Sequence, residues 1–127
     1  GQSAAYARTV TEADILAFAG VTGDFNPVHV NEELAASTMF GGRIAHGMLS
    51  AGFISTVFGT KLPGPGSIYL SQTLKFKAPV KIGDTVTARC TIKELIPAKR
   101  KAVFTTVCTV RGKAVLEGEA EIMVPAR

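Results

Sequence analysis

An aspartate and a histidine, Asp24 and His29, lie five residues apart in a turn-rich stretch of an otherwise apolar chain. Asn26 and Pro27 lie between them, and the proline stiffens the turn so that both side chains face the same point. Further on, Gly47 opens an apolar segment whose N-terminal N–H groups can receive a developing negative charge. An acid, a base and such a donor are the groups needed to add water to a polarised carbonyl compound, or to remove it.

The residue types indicate which side chain accepts a proton and which one donates a proton. Histidine ordinarily exchanges a proton near neutral pH, so we predict that His29 takes the proton from the attacking water. Asp24 then delivers a proton to the neighbouring carbon, although the two roles can be shared or exchanged through one water. Gly47 has no Cβ, so a substrate can approach its N–H closely. Each residue taken singly also has a non-catalytic interpretation. Asp24 could form a turn, His29 could be a surface residue beside a helix, and Gly47 could be a glycine at the start of a helix.

One other residue carries a weaker signal, and no metal site is indicated. His46 precedes Gly47 and fits loop packing or a hydrogen bond that shapes the turn 43–47, or a third catalytic group. The chain has two histidines in all and its cysteines show no ligand spacing, so we predict no metal site and no cofactor.

Composition narrows the classes of protein that the chain can belong to. With 127 residues, 46% hydrophobic and 19% charged, the sequence predicts a single globular domain, 1–127. The net charge of +4 is mild, and no aromatic residue interrupts the basic run 99–101, so nucleic-acid binding is not expected. Cys90 and Cys108 show no CxxC spacing and indicate reduced thiols in a cytoplasmic protein. No leader or membrane-spanning segment is expected either.

The elements that must position these residues follow from hydrophobic periodicity. Thr11 begins a capping-box variant, and the apolar stripe after it predicts a helix over about 12–21, which Gly23 closes. Asn31 caps a second short helix. Residues 47–59 are apolar on all sides of a helical wheel, which predicts a buried central helix.

Beyond the Pro-Gly repeat at 63–66, apolar and polar residues alternate. This alternation predicts strands over 68–77, 85–92, 101–110 and 116–124, and residues 6–10 are also compatible with a strand. Four consecutive strands with one polar face predict an antiparallel meander. Its apolar face needs a cover, so the pattern predicts an α+β fold in which the sheet wraps around helix 47–59.

The run from Phe18 to Ala35 resembles the signature of the (R)-specific enoyl-CoA hydratases, the MaoC-like or hydratase-2 family. The matching residues are Phe18, Val21-Thr22-Gly23-Asp24, Phe25, Asn26-Pro27-Val28-His29 and Ala35. The segments His46-Gly47-Met48 and 66–84 are also similar to short bacterial members. The resemblance implies a hot-dog fold, homodimers whose sheets continue across the interface, and active sites where the subunits meet. It further implies an enoyl-CoA thioester as substrate and an (R)-3-hydroxyacyl thioester as product.

The resemblance also assigns roles to individual residues. Asp24 and His29 match the catalytic pair, Gly47 matches the residue whose N–H receives the thioester oxygen, Asn26 matches the residue that orders the loop, and Ser55 falls where a hydroxyl supports the carboxylate. An acyl tail that runs along the helix from Gly47 would meet Ile54 and Phe58, whose bulk predicts a preference for short to medium chains. The basic run 99–101 fits a contact with coenzyme A phosphates, or a solvated hairpin tip.

Two other functions remain open at this stage. A hot-dog acyl-CoA thioesterase would use the same helix N-terminus, but such enzymes usually carry a carboxylate on the central helix, and 47–59 contains no Asp or Glu. A non-catalytic acyl-thioester-binding protein would need no Asp24 and His29 pair. Neither alternative involves nucleic acid or a membrane as a partner.

Overall fold

The helix Gly47–Thr60 packs against one face of an antiparallel sheet in the computed structural model, which describes residues 1–125. The strands are β1 (Ser3–Thr9), β2 (Ile68–Gln72), β3 (Lys75–Phe76), β4 (Thr85–Ile96), β5 (Lys101–Val110) and β6 (Lys113–Met123). The helices are α1 (Glu12–Thr22), α2 (Pro27–Val30), α3 (Glu32–Ala36) and α4 (Gly47–Thr60), and a 3-10 turn at Pro97–Lys99 joins β4 to β5. This is the sheet-around-helix arrangement that the alternating pattern predicted.

The central helix is buried on the side that faces the sheet. Ile54, Val57 and Phe58 are at most 2% exposed, and burial contributes about 1.5–3 kcal/mol for each such side chain. Phe58 packs edge-to-face against Phe104 of β5, with ring centroids 4.8 Å apart. The opposite side of α4 is exposed and carries small residues, Gly52, Ser55 and Gly59. The predicted burial of the whole helix is therefore met on one side only.

The strand order corrects the predicted meander. The sheet runs β1-β4-β5-β6-β2, with β3 also paired to β6. Strand 68–77 was expected beside 85–92, but β2 and β3 lie against the far side of β6. The outer edge of β4 is instead paired with β1, from Ser3 opposite Thr91 to Thr9 opposite Thr85. Because β1 occupies that edge of β4, β2 and β3 pair with β6 at the other end of the sheet.

The expected strand 68–77 is also divided in two. It breaks at Thr73, whose carbonyl oxygen crosses over Gly118 of β6 so closely that a Cβ there would lie 1.8 Å from it. Thr73 N–H donates to the Glu119 carbonyl at 2.8 Å, and Glu119 N–H donates to Thr73 Oγ1 at 2.9 Å. Glycine at 118 allows the two backbones to meet at this point.

Local capping begins and ends the helix that precedes the candidate site. Thr11 Oγ1 accepts from Asp14 N–H at 3.1 Å and Thr11 N–H donates to the Asp14 carboxylate at 3.1 Å, so the predicted capping box is confirmed. Gly23 ends α1 in the left-handed conformation, with φ of 81°. The chain then turns directly into Asp24, so the end of α1 determines where this carboxylate lies.

Candidate active site

Helix α2 is a single turn that carries His29, where the sequence pattern indicated only a turn. Pro27 occupies its first position, which its restricted φ favours. The side-chain oxygen of Asn26 accepts from Val28 N–H at 3.1 Å and so caps the turn. Two residues before Asn26, Asp24 accepts a similar bond: its Oδ1 accepts from Asn26 N–H at 3.2 Å. These short-range bonds order the segment that holds the aspartate and the histidine.

His29 is buried, and its ring orientation is set by the loop before α4. The side chain is 9% exposed, and Nδ1 lies 2.8 Å from the carbonyl oxygen of Ile44. A carbonyl oxygen accepts hydrogen bonds and cannot donate them, so Nδ1 carries the hydrogen. In the neutral ring the lone pair is then on Nε2, the nitrogen that can accept a proton from water.

His46 stacks on His29 and links α4 to the Asp24 loop. The ring centroids of His29 and His46 are 3.9 Å apart. The ring of Phe18 also packs against His46, with a centroid separation of 4.7 Å. Nε2 of His46 donates to the backbone carbonyl of Asp24 at 2.9 Å, although the residues are 22 positions apart. His46 is 2% exposed, and its Nδ1 has no partner among residues 1–125. Its hydrogen bond therefore positions the aspartate loop and lies outside the turn 43–47.

The three polar groups converge. A carboxylate oxygen of Asp24 and a ring nitrogen from each of His29 and His46 lie within 4.8 Å of one another. That separation is compatible with metal ligands, but a metal ion accepts the lone pair in the plane of each imidazole. The two rings are stacked, with 29° between their planes, so their lone pairs do not converge on one ion. The arrangement suits proton transfer better than single-ion coordination.

The N-terminus of α4 opens into an apolar cavity of about 580 Å³. The N–H groups of Gly47 and Met48 have no acceptor within residues 1–125. The cavity is lined by His29, His46 and Gly47 and by apolar side chains such as Met48, Phe76, Val80 and Leu116. A Cβ on residue 47 would lie 2.5 Å from Cε1 of Phe76, so glycine is needed for this ring to pack against the helix start. Two N–H groups without an acceptor among the described residues therefore lie at a largely apolar cavity beside the two histidines.

Three residues expected near the substrate lie elsewhere in the protomer. Ser55 is exposed on the outer side of α4, and its hydroxyl makes no hydrogen bond to Asp24 within the described chain. Ile54 and Phe58 are 0% and 2% exposed and belong to the core. Neither lines the cavity at Gly47, because their side of α4 packs onto the sheet. A tail that followed the helix would reach side chains already packed in the core.

The basic run is found at the tip of the β4–β5 hairpin. Lys101 forms an ion pair with Glu121 at 2.9 Å, and a guanidinium nitrogen of Arg100 lies 3.6 Å from the sulfur of Met123. Lys99 is exposed. Arg100 and Lys101 therefore already have partners on β6.

Two residues of the site carried no sequence signal for their role. Arg43 donates to the backbone carbonyl of His29 at 2.7 Å, yet an arginine in a glycine-rich loop reads as a solvated residue. Phe76 alternates correctly with its neighbours in a strand, and nothing local indicates that its ring covers Gly47. For His46, the adjacent glycine and apolar run were a signal of a helix entry, but not of its bond to Asp24.

The two cysteines lie in the core and take no part in the site. Cys90 and Cys108 are buried and free. Burial raises the pKa of each thiol to about 12, and the nearby Cys108 adds to the effect on Cys90. Both are therefore protonated and unsuited to act as nucleophiles.

Among the described residues, no helix is both long and apolar enough to span a bilayer.

Comparison with known proteins agrees with this geometry. The family model described as MaoC like domain matches residues 2–117. An (R)-specific enoyl-CoA hydratase of Rhodospirillum rubrum is 64% identical over 127 residues, which cover 100% of this chain and 88% of that protein.

Two solved structures share the fold. An (R)-hydratase from Aeromonas caviae, described as involved in PHA biosynthesis, has a TM-score of 0.96 and 42% identity, with 98% of this chain and 96% of that chain covered. An unliganded R-hydratase from Pseudomonas aeruginosa has a TM-score of 0.95 and 48% identity, with 100% and 82% covered. The hot-dog fold and the resemblance read from the sequence are therefore confirmed, and the chain belongs to the MaoC-like domain family.

Proposed function

We propose that the protein is an enzyme that hydrates trans-2-enoyl-CoA to (R)-3-hydroxyacyl-CoA, and catalyses the reverse dehydration. The observation that carries the proposal is convergence at one cavity. Gly47, with its free N–H, and His29, with the lone pair on Nε2, both line this cavity, and a carboxylate oxygen of Asp24 lies within 4.8 Å of a ring nitrogen of His29, although three different segments supply the three residues. The similarity to the Rhodospirillum rubrum hydratase over the whole chain supports the (R) configuration.

In this proposal the Gly47 N–H binds the thioester oxygen of the substrate. Attack of water at C3 places negative charge on that oxygen, and a fixed donor at a helix N-terminus stabilises it more in the transition state than in the ground state. Loss of a donor of this kind typically raises a barrier by about 3–4 kcal/mol. The apolar lining of the cavity strengthens the interaction because it excludes competing water.

Proton transfer follows from the tautomer of His29. Nε2 of His29 accepts a proton from water while the water oxygen bonds to C3, and the carboxyl group of Asp24 gives a proton to C2. Water has then been added across the double bond, with His29 protonated and Asp24 ionised. A ring nitrogen of His29 and a carboxylate oxygen of Asp24 lie within 4.8 Å of each other, a separation that one bridging water can span to return the proton to Asp24. The reverse sequence gives dehydration, in which the two residues exchange roles.

A spectroscopic assay with crotonyl-CoA tests the function. We expect loss of the conjugated double bond without release of free thiol, and an (R)-3-hydroxybutyryl product on chiral chromatography. Thiol release would favour the thioesterase alternative, although α4 has no Asp or Glu to serve it. Binding of the thioester without either reaction would indicate an acyl-thioester-binding protein. An (S) product would contradict the stereochemical part of the proposal.

The homodimer is also a proposal, and two exposed surfaces support it. Strand β2 pairs on one side only within the part of the chain that the structure describes, and Ile68, Tyr69 and Leu70 are between 39% and 53% exposed. A second copy of the chain would continue the sheet there and cover this apolar surface. Ser55, on the exposed side of α4, would then support a carboxylate across the interface. Sedimentation that shows an active monomer at micromolar concentration would contradict this arrangement.

Location and pathway complete the proposal. Free, buried Cys90 and Cys108 fit a reducing compartment, so we place the protein in the cytoplasm. The Aeromonas caviae structure is described as that of an (R)-hydratase involved in PHA biosynthesis, which supports a role in supplying polyhydroxyalkanoate precursors. Fractionation of the source cells tests the first statement. Polymer yield in cells that carry a polyester synthase, with and without this protein, tests the second.

A further inference from the structure

The side chain of Arg43 is largely buried, and a contribution to the stability of the fold does not explain this burial. Its side chain keeps 10% of its accessible surface. Nε donates to the backbone carbonyl of His29 at 2.7 Å, and a terminal nitrogen donates to Glu12 at 2.6 Å. The other terminal nitrogen is buried and has no partner within residues 1–125. An unpaired buried donor destabilises a fold, so a residue that brings one into this loop calls for another explanation.

Three backbone and side-chain bonds join Arg43 and its neighbour Ile44 to the helical turn that carries His29. Ile44 N–H donates to the Val28 carbonyl at 3.2 Å, and the Ile44 carbonyl accepts from Nδ1 of His29 at 2.8 Å. With the bond from Arg43, both backbone and ring of the histidine are held from one side. Segment 43–44 therefore determines the position of His29 and its tautomer together.

Helix α2 needs support of this kind. It spans four residues, Pro27–Val30, and a helix of one turn is not stable by itself in water. Its last carbonyl groups have no partner inside the helix, and the carbonyl of His29 is one of them. A cation at the C-terminal end satisfies that carbonyl and also opposes the helix dipole. Arg43 supplies both effects through Nε, while Glu12 on α1, whose side chain is exposed, pairs with a separate terminal nitrogen.

We infer that Arg43 is a positioning residue for the proposed reaction: its bond to the His29 carbonyl keeps Nε2 of His29 directed at the attacking water. The inference rests on the proposed function, in which His29 is the base. It requires that loss of Arg43 lowers kcat, because the base is displaced. It also requires that KM changes little, because Gly47 and the cavity remain.

The kinetic test compares three variants. In Arg43→Met we expect kcat to fall by at least about tenfold with KM within about threefold of wild type. Arg43→Lys keeps a buried cation and one donor, and should give an intermediate kcat. Glu12→Gln is the matched control, because it removes the ion pair and leaves the bond to His29; its kcat should stay within about twofold of wild type. A folded Arg43→Met enzyme with wild-type kcat would overturn the inference, as would equal losses in Glu12→Gln.

A second measurement does not depend on activity. The Nδ1 hydrogen of His29 is buried and bonded, so nitrogen-15 NMR should detect it with slow exchange in the wild-type protein. We expect this exchange to accelerate in Arg43→Met and, less strongly, in Arg43→Lys. The Nε2 hydrogen of His46, bonded to Asp24, should keep its rate in the same samples. Unchanged exchange at His29 in both variants would overturn the inference, whereas a wild-type protein without hydratase activity would overturn only the proposed function.

Discussion

Asp24→Asn should remove hydration and leave the fold nearly unchanged. The side chain of Asp24 is exposed; among residues 1–125 it forms no ion pair and makes one hydrogen bond, as acceptor from Asn26 N–H at 3.2 Å. An asparagine oxygen can accept the same bond, and the backbone carbonyl that His46 contacts is not altered. We therefore expect the free energy of unfolding to change by less than about 0.5 kcal/mol.

The expected loss of activity is much larger. A positioned general acid contributes about 10²–10⁴-fold to a rate, which corresponds to roughly 3–5.5 kcal/mol of barrier. The amide of asparagine cannot supply that proton. The assay is kcat/KM for crotonyl-CoA, followed by loss of the conjugated double bond, with urea unfolding as the stability control. If Asp24→Asn keeps more than about a tenth of wild-type kcat/KM, a loss under about 1.4 kcal/mol, the acid assignment is wrong.

The matching substitution His29→Ala is a less clean test. From the sequence alone both positions lie in a polar loop, so neither change should disturb packing. The structure shows that His29 is buried, stacks on His46 and satisfies the carbonyl of Ile44. Its removal leaves that carbonyl unpaired, which costs about 1–3 kcal/mol. We expect hydration to be lost in this variant as well, together with a measurable fall in stability.

Three further predictions concern stability and specificity. Gly118→Ala forces the Thr73 backbone away and should destabilise the fold by about 1–3 kcal/mol in urea unfolding, whereas Gly20→Ala, with nothing within 4 Å of its Cβ, should be neutral or stabilising; equal effects would contradict the close approach. The bond from Arg8 lowers the pKa of Asp14, so its contribution to stability is present above about pH 4 and is lost as pH falls through the depressed folded value; unfolding curves of Asp14→Asn should therefore depend less on pH in acid. Phe58→Ala should cost about 3–5 kcal/mol of stability because the ring is buried in the core, and it should leave the accepted chain length unchanged because Phe58 does not line the cavity at Gly47; a longer accepted chain in the folded variant would show that the tail follows α4 after all.

Much of this protein follows from local patterns in its sequence. The capping box of Thr11, the left-handed Gly23 and the Asn31 cap depend on residues at most a few positions apart, so the chain itself specifies them. The period of two identified the strands, and the apolar run from Gly47 identified the central helix. The spacing of Asp24 and His29 indicated the chemistry, and the resemblance of residues 18–35 to a known signature implied the family.

The tertiary structure decided which of these elements are neighbours. Alternation tells which side of a strand is buried but not which strand lies beside it, so the pairing of β2 with β6 could not be read from the pattern. The same limit applies to the site. The bonds from His46 to Asp24 and from Arg43 to His29 join residues 22 and 14 positions apart, and no periodicity records such contacts. They exist because α4, packing on the sheet, brings its N-terminus against the segment that carries Asp24 and His29.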